Sequence, residues 1–498
     1  MNAVFCYATL PKELLLKTFF KLKSLNINLN AIVTHYGDLK TVNESLKDVK
    51  SYCISDYNNP ATWAEWIKYN IYSRPRSIEK TWTEPFDNIL FDKLVRPNIT
   101  RYLPITERYG PFEGGSIESE TRLMFDFSIA HHIVNTHNPS LMFFYLEPQT
   151  SLENMLYLLA KHFNIKTFVV RSGLFRHQCA LSQSFDTPLV DEHWKPHSSL
   201  YKIETNIPKD KELLDRTLEV INKIAFPKDK YEPQYMQGLE FFKSKKEIVR
   251  ELIKSKFQRN LFIQFGFEPP YGSLLKYQLY RNYGHSVAYE NYAEKSPLIF
   301  FPLHYQPELN TMPRGGEYVN QLKAIKFLSD ALPSNGHILV KEHPSVFSKI
   351  HHVNKNFRPG TFYNWISRLP NVSLVPIEIS SEKLQNECDF IATITGNAGL
   401  EAMIRGKKVL AFGYASYLNG PGVYQIKSND LLKKYLLENT PNRNFIDENA
   451  YEKSLNFIKS ISANCYHTDL EFNSKLFVNT RLNHWTNTLL SGLKNLYG

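Results

Sequence analysis

The sequence lacks the features that would place it in a membrane, outside the cell or on a nucleic acid. No stretch of its 498 residues approaches the run of about eighteen apolar residues that spans a bilayer. The opening MNAVFCYATLPKELLLKTFF has no basic start, apolar core and small-residue cleavage site in sequence, so the protein is expected to stay in the cytoplasm. Five cysteines (Cys6, Cys53, Cys179, Cys388, Cys465) are scattered without paired spacing. That suits reduced, mostly buried thiols and supplies neither a disulfide framework nor a zinc site. Zinc-finger spacings and RNP-like aromatic motifs are missing, so a net charge of +10 is not read as a nucleic-acid footprint. It fits other anionic partners, either phosphorylated substrates or an acidic membrane face. Internal repeats and low-complexity tracts are absent.

The residues present, 43% hydrophobic and 22% charged, describe a globular chain long enough for two domains. Residues 3–8 read as a strand, 12–24 as a helix, and NINLNAIVTHY as a second strand, which is the opening of a parallel α/β sheet. The pattern returns as a strand in 138–148, a helix over 151–163 with Ser151 and Asn154 as its cap, and a strand over 165–170. Residues 205–285 read as a charged helical insertion. Within it FFKSKKEIVRELIKSKFQR carries apolar residues at helical spacing opposite lysines and arginine. That is either a helix packed on the body or one lying on a membrane surface. A second run of short apolar strands follows near 298, 337, 372, 389 and 409, each suited to a sheet covered on both faces. The expected domains are 1–204, the insertion 205–285, 286–470, and a C-terminal helix over 471–498 that crosses back to the first domain.

Ligands of open parallel sheets bind beyond the carboxyl ends of the strands. Three polar clusters fall there in the second domain: His304-Tyr-Gln-Pro-Glu308 with His304 and Gln306, Lys341-Glu-His-Pro-Ser345, and the turn Thr395-Gly-Asn-Ala-Gly399. In the third, small residues open the backbone to a ligand and a helix start offers N–H groups and partial positive charge, a seat for phosphate. Glu401, one turn into that helix, is placed to accept hydrogen bonds from ribose hydroxyls. Gly406 ends the helix, and Lys407 and Lys408 suit its negative end. Taken singly, His343 fits a hydrogen-bonded structural histidine, Pro344 only a strand end, and Glu401 an ordinary surface residue.

The order of these words carries more. "FFPLHYQPE", "VKEHPS" and "TGNAGLEAMIRGKKVLAFG" resemble the donor-nucleotide domain of GT-B glycosyltransferases, and more narrowly the capsule polysaccharide biosynthesis family with its bacterial Kdo transferases. The resemblance implies two Rossmann-like domains facing a cleft. It implies phosphate contact by His343, Pro344 and Ser345, further phosphate contacts from Thr395, Gly396, Asn397, Ala398 and Gly399, and ribose contact by Glu401. Lys341 would add charge or pair with the carboxylate of an ulosonic acid. The implied donor is a CMP-linked sugar and the acceptor a glycan or lipid-linked glycan at the anionic inner face of the membrane. The sequence carries no Asp-x-Asp signature, and no metal or other cofactor is expected. In the first domain Glu113 and Glu147 are candidates for acid–base or nucleophilic work, and Arg171 and Arg176 for an anionic acceptor. Each of these four also fits a solvated or paired surface residue. The alternatives are a UDP-N-acetylglucosamine 2-epimerase-like enzyme, a teichoic-acid-type polyol-phosphate transferase, and a nucleotide- or glycan-binding scaffold without turnover.

Overall fold

A computed structural model describes chiefly residues 2–6, 19–35, 46–54, 86–107, 115–175, 178–187, 218–225, 270–348, 357–439, 448–463 and 466–467. The chain divides into two compact units, the first formed by 1–214 with 459–498 and the second by 215–458. Each holds a Rossmann-like, predominantly parallel sheet, the fold class expected.

In the first unit β1 (Asn2–Cys6), β2 (Asn28–His35), β3 (Lys50–Ile54), β4 (Leu141–Phe144) and β5 (Lys166–Ser172) pair in parallel in the order β5-β4-β1-β2-β3. Strand β4, LMFF, is buried throughout, and Phe143 stacks between Phe5 and Phe168 from its two neighbours. Two strands the sequence reading did not register extend this sheet: β6 (Gln178–Ser182) turns back antiparallel onto β5, and β13 (Tyr466–His467) adds antiparallel to β6. The C-terminal helix expected over 471–498 and the basic amphipathic segment around 241–257 lie outside the described residues or almost so.

The helix Ser151–His162 is capped one residue earlier than expected. Thr150 accepts from the Glu153 N–H, and the Glu153 carboxylate returns bonds to the Gln149 and Thr150 N–H groups. Asn154 instead donates to the Pro148 and Thr150 carbonyls. The pair chosen from the sequence was thus out of register by one position.

The second unit holds six parallel strands: β7 (Leu298–Pro302), β8 (His337–Lys341), β9 (Val372–Leu374), β10 (Phe390–Thr393), β11 (Lys408–Ala411) and β12 (Val423–Gln425), ordered β12-β11-β10-β7-β8-β9. The four central strands are almost wholly buried, as apolar runs covered by helices on both faces must be. The strand order reverses direction between β7 and β10, which opens a crevice at their carboxyl ends. The helix Pro270–Ser286, from the expected insertion, packs into this unit's core through Leu279 and Tyr283.

At the opposite edge, His337 begins β8. Its ring stacks on Tyr292 with centroids 4.3 Å apart, and Nε2 lies 3.0 Å from the Ser373 hydroxyl. Burial, helped by the charge of Lys295, pushes its pKa down to about 4. A histidine held neutral in the fold but free to protonate near 6.5 when unfolded contributes stability that is complete above pH 6.5. That contribution is lost as pH falls toward 4. His337→Gln is therefore expected to flatten the acid limb of the melting temperature between pH 6.5 and 4.5. An unchanged slope would remove His337 from the acid response.

Candidate active site

The carboxyl ends of β7, β8 and β10 bring the three sequence clusters to one edge of the second sheet. His343 follows β8 and caps a single 3-10 turn, Pro344–Phe347. Its Nδ1 accepts the Ser345 N–H at 3.2 Å, so in the neutral ring the proton sits on Nε2 as a hydrogen-bond donor. The ring and Pro344 are half-buried, beside Tyr305 at 6.1 Å between centroids. Ser345 is buried. The Lys341 ammonium donates to the Ile379 carbonyl.

After β10 the turn Thr395–Gly396 leads into the helix Asn397–Ile404, whose amino end no side chain caps. Asn397 is exposed and Ala398 half-buried. Here the reason for the glycines differs from the one read in the sequence. A Cβ on Gly396 would lie 2.8 Å from Cε1 of His304, and one on Gly399 would lie 2.3 Å from the Tyr417 hydroxyl oxygen. Both spaces are filled by the protein's own side chains. Neither residue has positive φ, so close packing rather than backbone conformation calls for glycine at both. Tyr417 uses that approach to donate to the Gly396 carbonyl at 2.6 Å.

Glu401 is half-buried on the same helix and takes a long bond, 3.4 Å, from the Gln385 amide. Burial raises its pKa, Gln385 and Arg405 pull it back, and Glu382 raises it further. Gly406 ends the helix with φ of +73°, as expected. The two lysines after it serve other helices: Lys407 reaches the Asn386 and Cys388 carbonyls at the end of Ser381–Glu387, and Lys408 reaches Asn439 at the end of Asn429–Glu438.

Beneath the crevice lies an ion pair that sequence reasoning missed. Arg358 Nε and Nη2 hold the two oxygens of Glu342 at 2.6 and 3.1 Å, and Tyr363 donates to the same carboxylate at 2.8 Å. Both partners are about 1% exposed. The guanidinium also donates to the His304 carbonyl at 2.7 Å and to Oε1 of Gln306 at 3.3 Å, tying the end of β7 to the end of β8. Burial alone would lower the pKa of Arg358, but the Glu342 charge and hydrogen bonds more than reverse it. Gln306, expected at the substrate, is buried with its amide engaged by Val319, Gln321 and Arg358, and belongs to this scaffold. Glu342 was visible in the sequence as an acid between strand and His-Pro, a hint of a buried cation, but nothing pointed to Arg358. Arg314 was missed as well: buried, it bonds Ser416 at 3.0 Å while its carbonyl accepts the Tyr414 N–H, joining the loop after β7 to the one after β11.

In the first unit Glu147 follows β4 and Arg171 lies at the end of β5, their charged atoms 3.5 Å apart. Both are buried rather than solvated. Glu113 and Arg176 lie outside the described residues. Among the described residues no group of three or more His, Cys, Asp or Glu side chains is placed to hold a metal, and no helix is long and apolar enough to cross a membrane.

No curated protein matches the chain. Solved structures similar over most of it include a β-Kdo 2,4 transferase, KpsC, of Thermosulfurimonas dismutans (11% identity, 70% of this chain and 87% of that one, TM-score 0.25). Others are the UDP-GlcNAc 2-epimerases of Methanocaldococcus jannaschii (11%, 92% and 100%, TM-score 0.24) and Neisseria meningitidis (12%, 99% and 100%, TM-score 0.22). The family described as capsule polysaccharide biosynthesis protein matches residues 293–453, a span that contains all three clusters and the Glu342–Arg358 pair. That segment is roughly a third of the chain, and the similarity to the family lies within it.

Proposed function

We propose that the protein is a glycosyltransferase that moves a sugar from a CMP-linked donor to a bacterial surface glycan or its lipid-linked precursor. One observation carries this reading. Within the family segment, His343 and the uncapped start of the helix Asn397–Ile404 stand at the ends of β8 and β10, one strand apart and on the two sides of the switch point. In this reading Nε2–H of His343 donates to a phosphate oxygen, and the first N–H groups of the helix take another. Both stabilise the charge that builds on the leaving phosphate as the sugar bond breaks. These groups and Lys341 take the part a metal plays elsewhere, so the reaction proceeds without one. Lys341 adds charge or pairs with the carboxylate of a donor such as Kdo, and Glu401 holds the ribose hydroxyls. The acceptor-side base or nucleophile is drawn from Glu113 and Glu147, with Arg171 and Arg176 available to an anionic acceptor. A net charge of +10 suits both an anionic donor and the cytoplasmic face of an anionic membrane.

Calorimetric titration of the full chain with CMP, CDP, UDP and GDP in EDTA tests the reading. Selective binding of CMP is expected, weakened about tenfold, or ~1.4 kcal/mol, in Glu401→Ala. His343→Ala is expected to lower turnover of a CMP-sugar by about 10²–10³ at near-unchanged melting temperature, the usual effect of removing one donor to a developing charge. Preference for UDP or GDP would replace the donor, and no binding at all would leave the scaffold reading.

A further inference from the structure

We propose that Glu308 and His304 form a tautomer lock that sets the Thr395–Gly396 turn for phosphate, with His304 a positioning residue that does not itself touch the donor. The proposal rests on the nucleotide-binding reading above.

The lock follows from the directions of its hydrogen bonds. His304 Nδ1 lies 2.6 Å from Glu308 Oε1. An ionised carboxylate only accepts, so Nδ1 carries the proton and Nε2 presents a lone pair. That lone pair faces two groups able to donate, the Thr393 hydroxyl at 3.1 Å and the Thr395 N–H at 3.4 Å. The Thr393 oxygen in turn accepts the Gly396 N–H at 3.1 Å. One consistent chain results, in which Gly396 donates to Thr393, Thr393 to His304 and His304 to Glu308, each bond polarising the next. With the opposite tautomer, a proton on Nε2 would meet the Thr395 N–H, and a bare Nδ1 would face the carboxylate.

The histidine is also fixed from behind. Its N–H donates to Gln321 Oε1 at 2.7 Å, and its carbonyl accepts from Gln321 Nε2 and Arg358 Nη2. Its ring fills the space a side chain on Gly396 would take. Glu308 keeps partial access to solvent, with 22% of its side chain exposed, whereas His304 has 6%. Since the turn leads directly into the helix Asn397–Ile404, the ring's protonation pattern decides where the first helical N–H groups are held.

The experiment uses the full chain with Glu308→Gln, Glu308→Leu, Thr393→Ser and Thr393→Val. For each, CMP affinity and melting temperature are measured together with the side-chain ¹⁵N shifts of selectively labelled histidines, His304→Asn assigning the resonance. Glutamine and serine retain the required acceptor or hydroxyl and are expected to keep CMP affinity within about threefold. Leucine and valine are expected to lose about tenfold or more, ~1.4 kcal/mol, beyond any difference in folded fraction. Wild-type His304 is expected to show the Nδ1–H tautomer, lost in Glu308→Leu. An Nε2–H tautomer in the wild type overturns the lock, as does equal CMP affinity in all four variants of a protein that binds CMP. If the wild type binds no CMP, the functional reading falls and the ¹⁵N shifts alone decide whether the lock exists.

Discussion

Arg358→Met is expected to destabilise the protein by about 3–5 kcal/mol and to abolish nucleotide binding in whatever fraction remains folded. The magnitude follows from what is left behind. Glu342 is about 1% exposed, and removing the guanidinium leaves its carboxylate with the Tyr363 hydroxyl and the His343 N–H, neither of which carries charge. Breaking a buried pair costs far more than the pair contributes relative to apolar residues, because the orphaned charge has no water to return to. Binding suffers with stability because the same guanidinium holds the His304 carbonyl. Arg358→Lys is expected to rescue little, since one ammonium cannot reproduce a fork that meets both carboxylate oxygens and the His304 carbonyl. Urea unfolding with a linear fit measures the loss. A midpoint within a few tenths of a molar of wild type would show that the pair is dispensable.

Gly399→Ala is expected to lower nucleotide affinity at least tenfold, although the usual rule runs the other way. In a helix interior, alanine normally stabilises by about 0.5–1 kcal/mol over glycine. Here the new methyl would sit 2.3 Å from the Tyr417 oxygen, 2.8 Å from its Cζ and 2.9 Å from the Thr393 methyl. Tyr417 and Thr393 are both buried, so the tyrosine cannot swing into solvent without leaving a void and freeing the Gly396 carbonyl it caps. Overpacking of this kind costs about 1–3 kcal/mol and is absorbed by backbone shifts, which fall here on the Thr395–Gly396 turn proposed to face the phosphate. Affinity for CMP and the melting temperature, measured together, check it. An alanine variant that binds as wild type does would mean the turn tolerates displacement and that its placement does not govern binding.

Much of the second unit was legible because its strands are short unbroken apolar runs, such as LIFFP and HILVK, closed by polar clusters where the sheet meets solvent. The sequence put those clusters beyond the carboxyl ends of strands, and the structure holds them after β7, β8 and β10. What could not be read were contacts whose partners lie far apart in the chain. Nothing in "FRPG" marks Arg358 as the partner of Glu342, and nothing near Gly399 announces Tyr417. A glycine reads the same whether a ligand or a neighbouring ring takes its space. The misplaced cap at Ser151 had a different cause, since Thr150 with Glu153 and Ser151 with Asn154 present similar residue types one step apart. The antiparallel strand β13 was hidden because it pairs with β6, almost three hundred positions earlier, whereas β6 folds back on β5 within a few residues.

The position of Arg358 along the chain also bears on synthesis. The ribosome delivers β7 and β8 with His304, Gln306 and Glu342 first, then the arginine that binds all three, and only later β10 and the Thr395 turn. Until Arg358 emerges, a nascent chain holding Glu342 must keep that carboxylate in water and the strand end open. The contact that joins the ends of β7 and β8 therefore depends on a residue made after both strands, and cannot form before it.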